Sequence, residues 1–251
     1  MNKESTPINE FIEKYDHNIL SEAMQTMYDK SGFYNVGEWS ANPERLKDAC
    51  ESLVIKHLDQ VQRCLNPQKI LDIGCGLGSG TGIIAKLYKD AQVVGINISE
   101  KQVSFAKKTN PDIDFQVMDA TKMLFPAASF DLIISVEAAF HFNTRKDFLE
   151  QAYRMLRPGG QLIFSDMLFH NTEWVGSWSV PAENLVTDIN IYKAACVDIG
   201  FEILQCSDIK ASTLIGFCSY LRQIEKMDEL AEGFENSVIA YLLTSLKKNH
   251  R

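Results

Sequence analysis

Between Gln68 and Met167 the chain alternates short, nearly unbroken apolar runs with longer stretches in which apolar residues recur every three or four positions. The runs are KILDIG (69–74), QVVGINI (92–98), DFQVMD (114–119), FDLIISVE (130–137) and QLIFSDM (161–167). A strand with one wet face alternates apolar and polar side chains, whereas a run that is apolar throughout is covered on both faces. The stretches between the runs supply that cover. The pattern predicts an α/β fold with a doubly wound, mostly parallel sheet and helices on both sides.

Element ends are also readable. Asn42-Pro43-Glu44 reads as an N-cap, a first-turn proline and an early acid, followed by a stripe of Leu46, Cys50, Leu53, His57 and Val61. Ser99-x-x-Gln102 is a capping-box pattern directly after a strand. Thr144 can cap a helix reaching about Leu156, after which Arg157-Pro158-Gly159-Gly160 turns the chain into the next strand. A helix over about 188–199 ends at Gly200, and 201–209 reads as a strand. Residues 214–230 read as helical, while IAYLLTSL within 237–247 fits both a strand and a helix. The first forty residues carry Phe11, Tyr15, Tyr28, Phe33, Tyr34 and Trp39. Residues 1–41 are read as a helical lid over one domain, 42–251.

Charge narrows the partners. The chain has 25 Lys and Arg against 33 Asp and Glu, a formal net charge of −8. A surface that neutralises phosphates needs the opposite balance, so no nucleic acid partner is expected. The opening MNKESTPINEF lacks the apolar run of a signal peptide, and no stretch of 18 uncharged apolar residues exists, so no membrane association is expected. The six cysteines form no CxxC pair and no zinc-type cluster. They read as buried or half-buried thiols in a reducing, cytoplasmic compartment. The state of assembly is left open between monomer and homodimer.

The chemistry concentrates in ILDIGCGLGSGTG, residues 70–82. A strand ends in Asp72, and Gly74, Gly76 and Gly78 open a helix. Glycine permits backbone angles closed to other residues and lets a ligand touch the main chain. A dinucleotide fingerprint needs GxGxxG, and its third glycine position, counted from Gly74, is Ser79. An acid two residues before the loop suits a cationic ligand better than a diphosphate. A nicotinamide-dependent oxidoreductase is thereby disfavoured.

This string resembles motif I of the class I S-adenosylmethionine-dependent methyltransferases. The resemblance implies a seven-stranded Rossmann-like sheet, S-adenosyl-L-methionine as cofactor and S-adenosyl-L-homocysteine as product. It implies that Gly74, Gly76 and Gly78 pass beneath the amino-acid part of the cofactor and that Asp72 helps fix its ammonium. Asn97, followed by Ile98, stands where the family usually has an acid that grips the ribose hydroxyls. Asparagine can donate and accept there, without the charge. Gln102 either caps its helix or lies near the ribose. Asp119-Ala120 matches the adenine-binding turn, Ser135-Val136-Glu137 the segment beneath the cofactor, and Leu156-Arg157-Pro158-Gly159-Gly160 the turn before the fifth strand.

Methyl transfer is an in-line displacement in which positioning and exclusion of water do most of the work. A hydroxyl acceptor gains further from a base. His141 lies just past the fourth strand and Asp166 at the end of the fifth. Neighbouring strands lie about 4.8 Å apart, and both residues fall at the carboxyl edge where open sheets bind ligands. Asp166 is expected to orient His141. The pair resembles the arrangement in small-molecule O-methyltransferases that modify sugars on natural products, of the rebeccamycin type, and FYNVGEW (33–39) resembles their aromatic closing segment. Candidate acceptor contacts are Tyr34, Trp39, Phe142 and Trp174, the last in the loop after the fifth strand. Catechol-type relatives carry a further Asp-Asn pair, but Met167 follows Asp166, so no metal is expected.

The expectation is a methyltransferase acting on a hydroxyl of a small secondary metabolite with His141 as base. N- or C-methylation remains open, because an amine with a free lone pair needs no base. So does a binding protein on the same scaffold. Prenyl diphosphates would need a basic cluster, but Lys3, Lys14 and Lys30 are scattered.

Overall fold

The computed structural model describes residues 7–171 and 180–249. Two helices, α1 (Pro7–Ile19) and α2 (Glu22–Met27), precede α3 (Leu46–Leu58). Then follow β1 (Lys69–Ile73), α4 (Ser79–Leu87), β2 (Gln92–Asn97), α5 (Glu100–Thr109), β3 (Asp114–Val117) and β4 (Phe130–Ser135). The remainder is α6 (Arg145–Met155), β5 (Leu156–Phe169), α7 (Ile189–Ile199), β6 (Phe201–Asp208), α8 (Leu214–Tyr220), α9 (Asp228–Ser237) and β7 (Val238–Lys248).

The seven strands form one sheet in the order β3-β2-β1-β4-β5-β7-β6. β1 to β5 pair in parallel, and β7 enters antiparallel between β5 and β6. That insertion settles the ambiguous 237–247 segment. β7 is covered on both faces, so its sequence is apolar at consecutive positions and loses the two-residue alternation that would have marked it.

The faces of β5 divide the interior. Ile163, Met167 and Phe169 pack with Leu46 and Leu53 of α3, Ile84 of α4 and Phe234 of α9. Leu162, Phe164 and Leu168 pack on the opposite side with Phe148 and Ala152 of α6 and Tyr192 of α7. Alternation along the strand therefore sends Ser165 to the first side and Asp166 to the second.

Some boundaries differ from the sequence expectation. Asn42 has φ 50°, outside the extended region an N-cap needs, and α3 begins after Arg45, which makes no side-chain cap. The Arg157–Gly160 turn is a bulge within β5: Phe130 pairs with Leu156 but Leu132 with Gln161, and Gly159 sits at φ 82°. The 214–230 helix is broken, because α8 widens into a π-helical turn at Leu221–Glu225 and Lys226 at φ 58° ends it before α9. Thr144 and Asp147 do form a capping box, and Gly200 at φ 113° does end α7. Among the described residues no helix is long and apolar enough to cross a membrane.

His57, on the stripe with Leu46, Cys50 and Leu53, is buried in α3. Its Nδ1 donates to Leu53 O at 2.8 Å, and Nε2 is buried with no partner. Burial lowers its pKa to about 4, since a second proton would sit in an apolar setting. The unfolded chain binds that proton near pH 6.5, so the stability from a neutral His57 is complete above that pH and falls as pH drops toward 4. Between pH 7 and pH 5 the wild type is expected to lose about 2 kcal/mol relative to His57→Asn. Urea unfolding of both proteins at the two pH values measures this, and equal losses would refute it.

Candidate active site

A cavity of about 480 Å³ opens at the carboxyl ends of β1, β2 and β4, beneath α1. Its floor is the glycine loop. Gly74 N and Cys75 N both donate to Ile96 O, at 2.9 and 3.0 Å, which ties the loop to β2. At Gly74 (φ 75°) a Cβ would stand 2.6 Å from Ala138 Cβ, so the loop can pass the β4 turn only without a side chain. At Gly76 (φ 54°) a Cβ would meet nothing within 4 Å. Its bare backbone borders the cavity and is open to a ligand. Gly78, expected to touch the cofactor, does not border the cavity. It lets α4 close on α5, where a Cβ would lie 2.8 Å from that of Ala106. Gly80, not singled out from the sequence, lines the cavity instead.

Asp72, one residue before the end of β1, is buried, and its Oδ2 accepts from Thr81 Oγ1 at 2.6 Å. Burial raises its pKa to about 6, against the lowering effect of that hydrogen bond. A cation beside it would favour the ionised form. Asn97, at the end of β2, donates Nδ2 to Gln102 Oε1 at 3.2 Å and accepts from Ser99 N at 2.8 Å on Oδ1. The capping box is thus half formed. Ser99 Oγ accepts from Gln102 N at 3.2 Å, but the Gln102 side chain reaches Asn97 and Asp16 of α1 rather than the Ser99 backbone. Asp119 accepts from Thr121 N and Oγ1, both at 2.8 Å and both on Oδ1. Ile98, Ala120 and Val136 also line the cavity.

Glu137 follows β4 at φ 55°. Its N donates to Ser165 Oγ at 2.9 Å, and its Oε2 accepts from Val36 N at 3.0 Å and from Tyr241 OH at 2.9 Å. Burial raises its pKa to about 7, opposed by those two donors. Burial, with the Glu137 charge second, holds Tyr34 up at about 12, and burial does the same more strongly for Tyr15. Both tyrosines line the cavity, and their raised pKa keeps the hydroxyls protonated at neutral pH.

His141 ends a single 3-10 turn, Ala139–His141. Its ring lies 4.2 Å from that of Phe140, 5.3 Å from Tyr15 and 5.4 Å from Phe11, centroid to centroid. Phe142 lines the cavity beside it. The two α1 rings sit four residues apart on one helix face. The aromatics of 1–41 were legible as a cluster, but not which of them would meet His141.

The expected His141–Asp166 dyad is replaced by another arrangement. Asp166 is fully buried on the far face of β5 and binds Arg145, Oδ2 to Nε at 2.5 Å and Oδ1 to Nη2 at 3.2 Å. Burial raises the Asp166 pKa against the pull of Arg145, and Asp166 in turn holds Arg145 above its usual value despite burial. Arg145 Nη1 also donates to Asn184 O at 2.8 Å. Asn184 Nδ2 in turn donates to the carbonyls flanking His141, Phe140 O at 3.0 Å and Phe142 O at 2.7 Å. Among the described residues, Asp166 is thus linked to the histidine through Arg145, Asn184 and the backbone that carries it. Trp39, expected against the acceptor, instead seats on α8. A Cβ at Gly216 would lie 2.3 Å from its Cγ, and its Nε1 donates to Val36 O at 2.7 Å. Trp174 lies outside the described residues. Among the described residues no group of three His, Cys, Asp or Glu is placed to hold a metal.

These residues fit S-adenosylmethionine. The open backbone at Gly76 and the buried Asp72 suit its amino-acid end, the Asn97 and Gln102 amides suit ribose hydroxyls, and Asp119 suits an amino group. A model described as a methyltransferase domain matches residues 71–164. An O-methyltransferase of Pyrenophora dematioidea is 30% identical over 197 residues, 72% of each chain. Erythromycin 3''-O-methyltransferase of Saccharopolyspora erythraea is 24% identical over 88% of this chain and 77% of its own. Among solved structures, geranyl diphosphate methyltransferase in complex with GPP and sinefungin superposes with TM-score 0.80 at 17% identity, over 97% of this chain and 99% of that one. The chain belongs to the class I S-adenosylmethionine-dependent methyltransferases.

Proposed function

We propose that the protein methylates a hydroxyl oxygen of an uncharged small natural product, with His141 as general base and residues 1–41 as the lid of the 42–251 domain. The observation that carries this reading is the position of His141, the one imidazole on the described cavity wall, set among the rings of Phe11, Tyr15 and Phe140. Two relatives named as O-methyltransferases support an oxygen acceptor.

The cofactor, when bound, supplies an electrophilic methyl carbon. The chain supplies the rest. A hydroxyl held beside His141 loses its proton to an imidazole nitrogen as its oxygen forms the bond to carbon. The rings around the histidine keep water from competing. α1 closes the roof with Phe11, Ile12, Tyr15 and Ile19. The products are a methyl ether, the thioether form of the cofactor and a protonated imidazole.

The charge of the wall bears on the acceptor. Among the described lining residues Asp72, Asp119, Glu137 and Glu183 are acidic, and none is Lys or Arg. A buried phosphate would have no partner there, and an unpaired buried charge is costly. The same wall favours a second reading, an amine acceptor held as its ammonium by Glu137 and the aromatic faces before it sheds a proton.

Thioether formation with matched acceptors separates these readings: a phenol or sugar alcohol, its phosphate ester and its amine. The expected order is alcohol first, with the phosphate ester inert. Preference for the amine would favour the second reading, and turnover of the phosphate ester would overturn the uncharged acceptor.

A further inference from the structure

The ribose position of this site lacks the acid its family usually places there, since β2 ends in Asn97. A carboxylate nonetheless reaches the same spot from another element. Asp16 lies in α1 and is only 3% exposed. Ser99 Oγ donates to its Oδ1 at 2.7 Å and lies 2.9 Å from Oδ2, and Gln102 Nε2 donates to Oδ1 at 2.8 Å. Ser99 is the N-cap of α5 and Gln102 lies in its first turn, so the carboxylate also faces the positive end of that helix.

These contacts fix two amides. Gln102 must turn its NH₂ to Asp16 and its carbonyl to Asn97. Asn97 must turn its carbonyl to Ser99 N and its NH₂ to Gln102. Neither can flip without losing a bond at each end. Each still has one uncommitted N–H and spare carbonyl capacity, and both residues line the cavity, whereas Asp16 does not.

We infer that Asp16 is a positioning residue for the cofactor's ribose, a lid-borne carboxylate that orients Gln102 and Asn97 in place of an acid at the end of β2. This rests on the lid reading of residues 1–41 and not on the identity of the acceptor. The same hydrogen bonds seat α1 and preset the ribose amides, so the two events are thermodynamically linked. Cofactor binding strengthens lid seating by the factor by which lid seating strengthens cofactor binding.

The test is calorimetry with S-adenosylhomocysteine and with its 2′,3′-dideoxy analogue, on wild type, Asp16→Ala, Asp16→Asn, Gln102→Ala and the Asp16→Ala/Gln102→Ala double variant. No acceptor is needed, so failure here is distinct from failure of the O-methylation reading. Asp16→Ala is expected to weaken S-adenosylhomocysteine binding at least about tenfold, equivalent to about 1.4 kcal/mol, and to leave the dideoxy analogue unchanged. Asp16→Asn should fall between, and the double variant should be no worse than the poorer single one. Hydrogen exchange over residues 7–19 should slow on S-adenosylhomocysteine binding in the wild type and not in Asp16→Ala. Equal loss for both ligands, additive single effects, or unchanged affinity would each overturn the proposal. Ser99→Ala, which removes only the hydroxyl, tests the same prediction should Asp16→Ala fold poorly, and it should lower affinity for the ribose-bearing ligand alone.

Discussion

His141→Phe is expected to lower kcat for a hydroxyl acceptor by about 10²–10⁴-fold while leaving S-adenosylhomocysteine affinity within about twofold, a difference below 0.5 kcal/mol. Phenylalanine keeps an aromatic ring against Phe11, Tyr15 and Phe140, so the wall around the site stays packed. It removes both ring nitrogens, and with them the capacity to accept a proton. His141→Ala would confound that loss with a gap in the aromatic wall, which makes the ring-preserving variant the sharper test. With an amine acceptor supplied as the free base the same substitution should change kcat little, because the lone pair is already available. The measurement is thioether formation under saturating cofactor for matched alcohol and amine acceptors. An unchanged kcat toward the alcohol would remove His141 from the mechanism and point to Glu137, whose pKa burial raises to about 7, as the next base to test among the four acids of the wall.

What the sequence revealed follows from how local each signal is. The glycine loop was legible because its constraints are local: Gly74 needs a positive φ and an absent Cβ directly after the strand that carries Asp72. The helix ends at Thr144 and Gly200 were legible for the same reason. Gly78 obeys the same local rule but for another purpose, since its contact is with α5, about thirty residues away in sequence. Trp39 read as a pocket aromatic because its neighbours in sequence are, while its partner, Gly216, is far along the chain. Asp16 carried no signal beyond one acid on an amphipathic helix. Its meaning depends on α1 folding back over α5, which no periodicity encodes. The strand pairing β4–β5 was right, yet it misled: adjacency of strands does not put two side chains on one face. One residue of register decides whether Asp166 faces the cavity or the opposite layer, and the neighbour that faces the Glu137 side is Ser165.

That register makes a strong prediction about Asp166 itself. Asp166→Ala is expected to destabilise the fold by about 3–5 kcal/mol, because it strands Arg145 as a buried charge. The Arg145 side chain is 7% exposed and that of Asp166 0%. For a chain of this size such a loss lowers Tm by about 10 °C. Arg145→Met/Asp166→Leu removes both charges and should recover most of the loss, since apolar groups of similar volume can replace a buried pair at little net cost. The catalytic expectation runs the other way from that of a dyad. kcat per folded molecule, measured well below Tm, should survive Asp166→Ala better than it survives His141→Phe. Among the described residues, Asp166 is linked to the histidine by way of Arg145, Asn184 and the carbonyls of Phe140 and Phe142. Asn184→Ala isolates that path. It should lower kcat modestly by loosening the turn, without the stability loss of the charge variant. Were Asp166→Ala to keep its Tm and lose its turnover, the ion pair would not be what holds Asp166 in place, and a direct bond to His141 would have to form during the reaction.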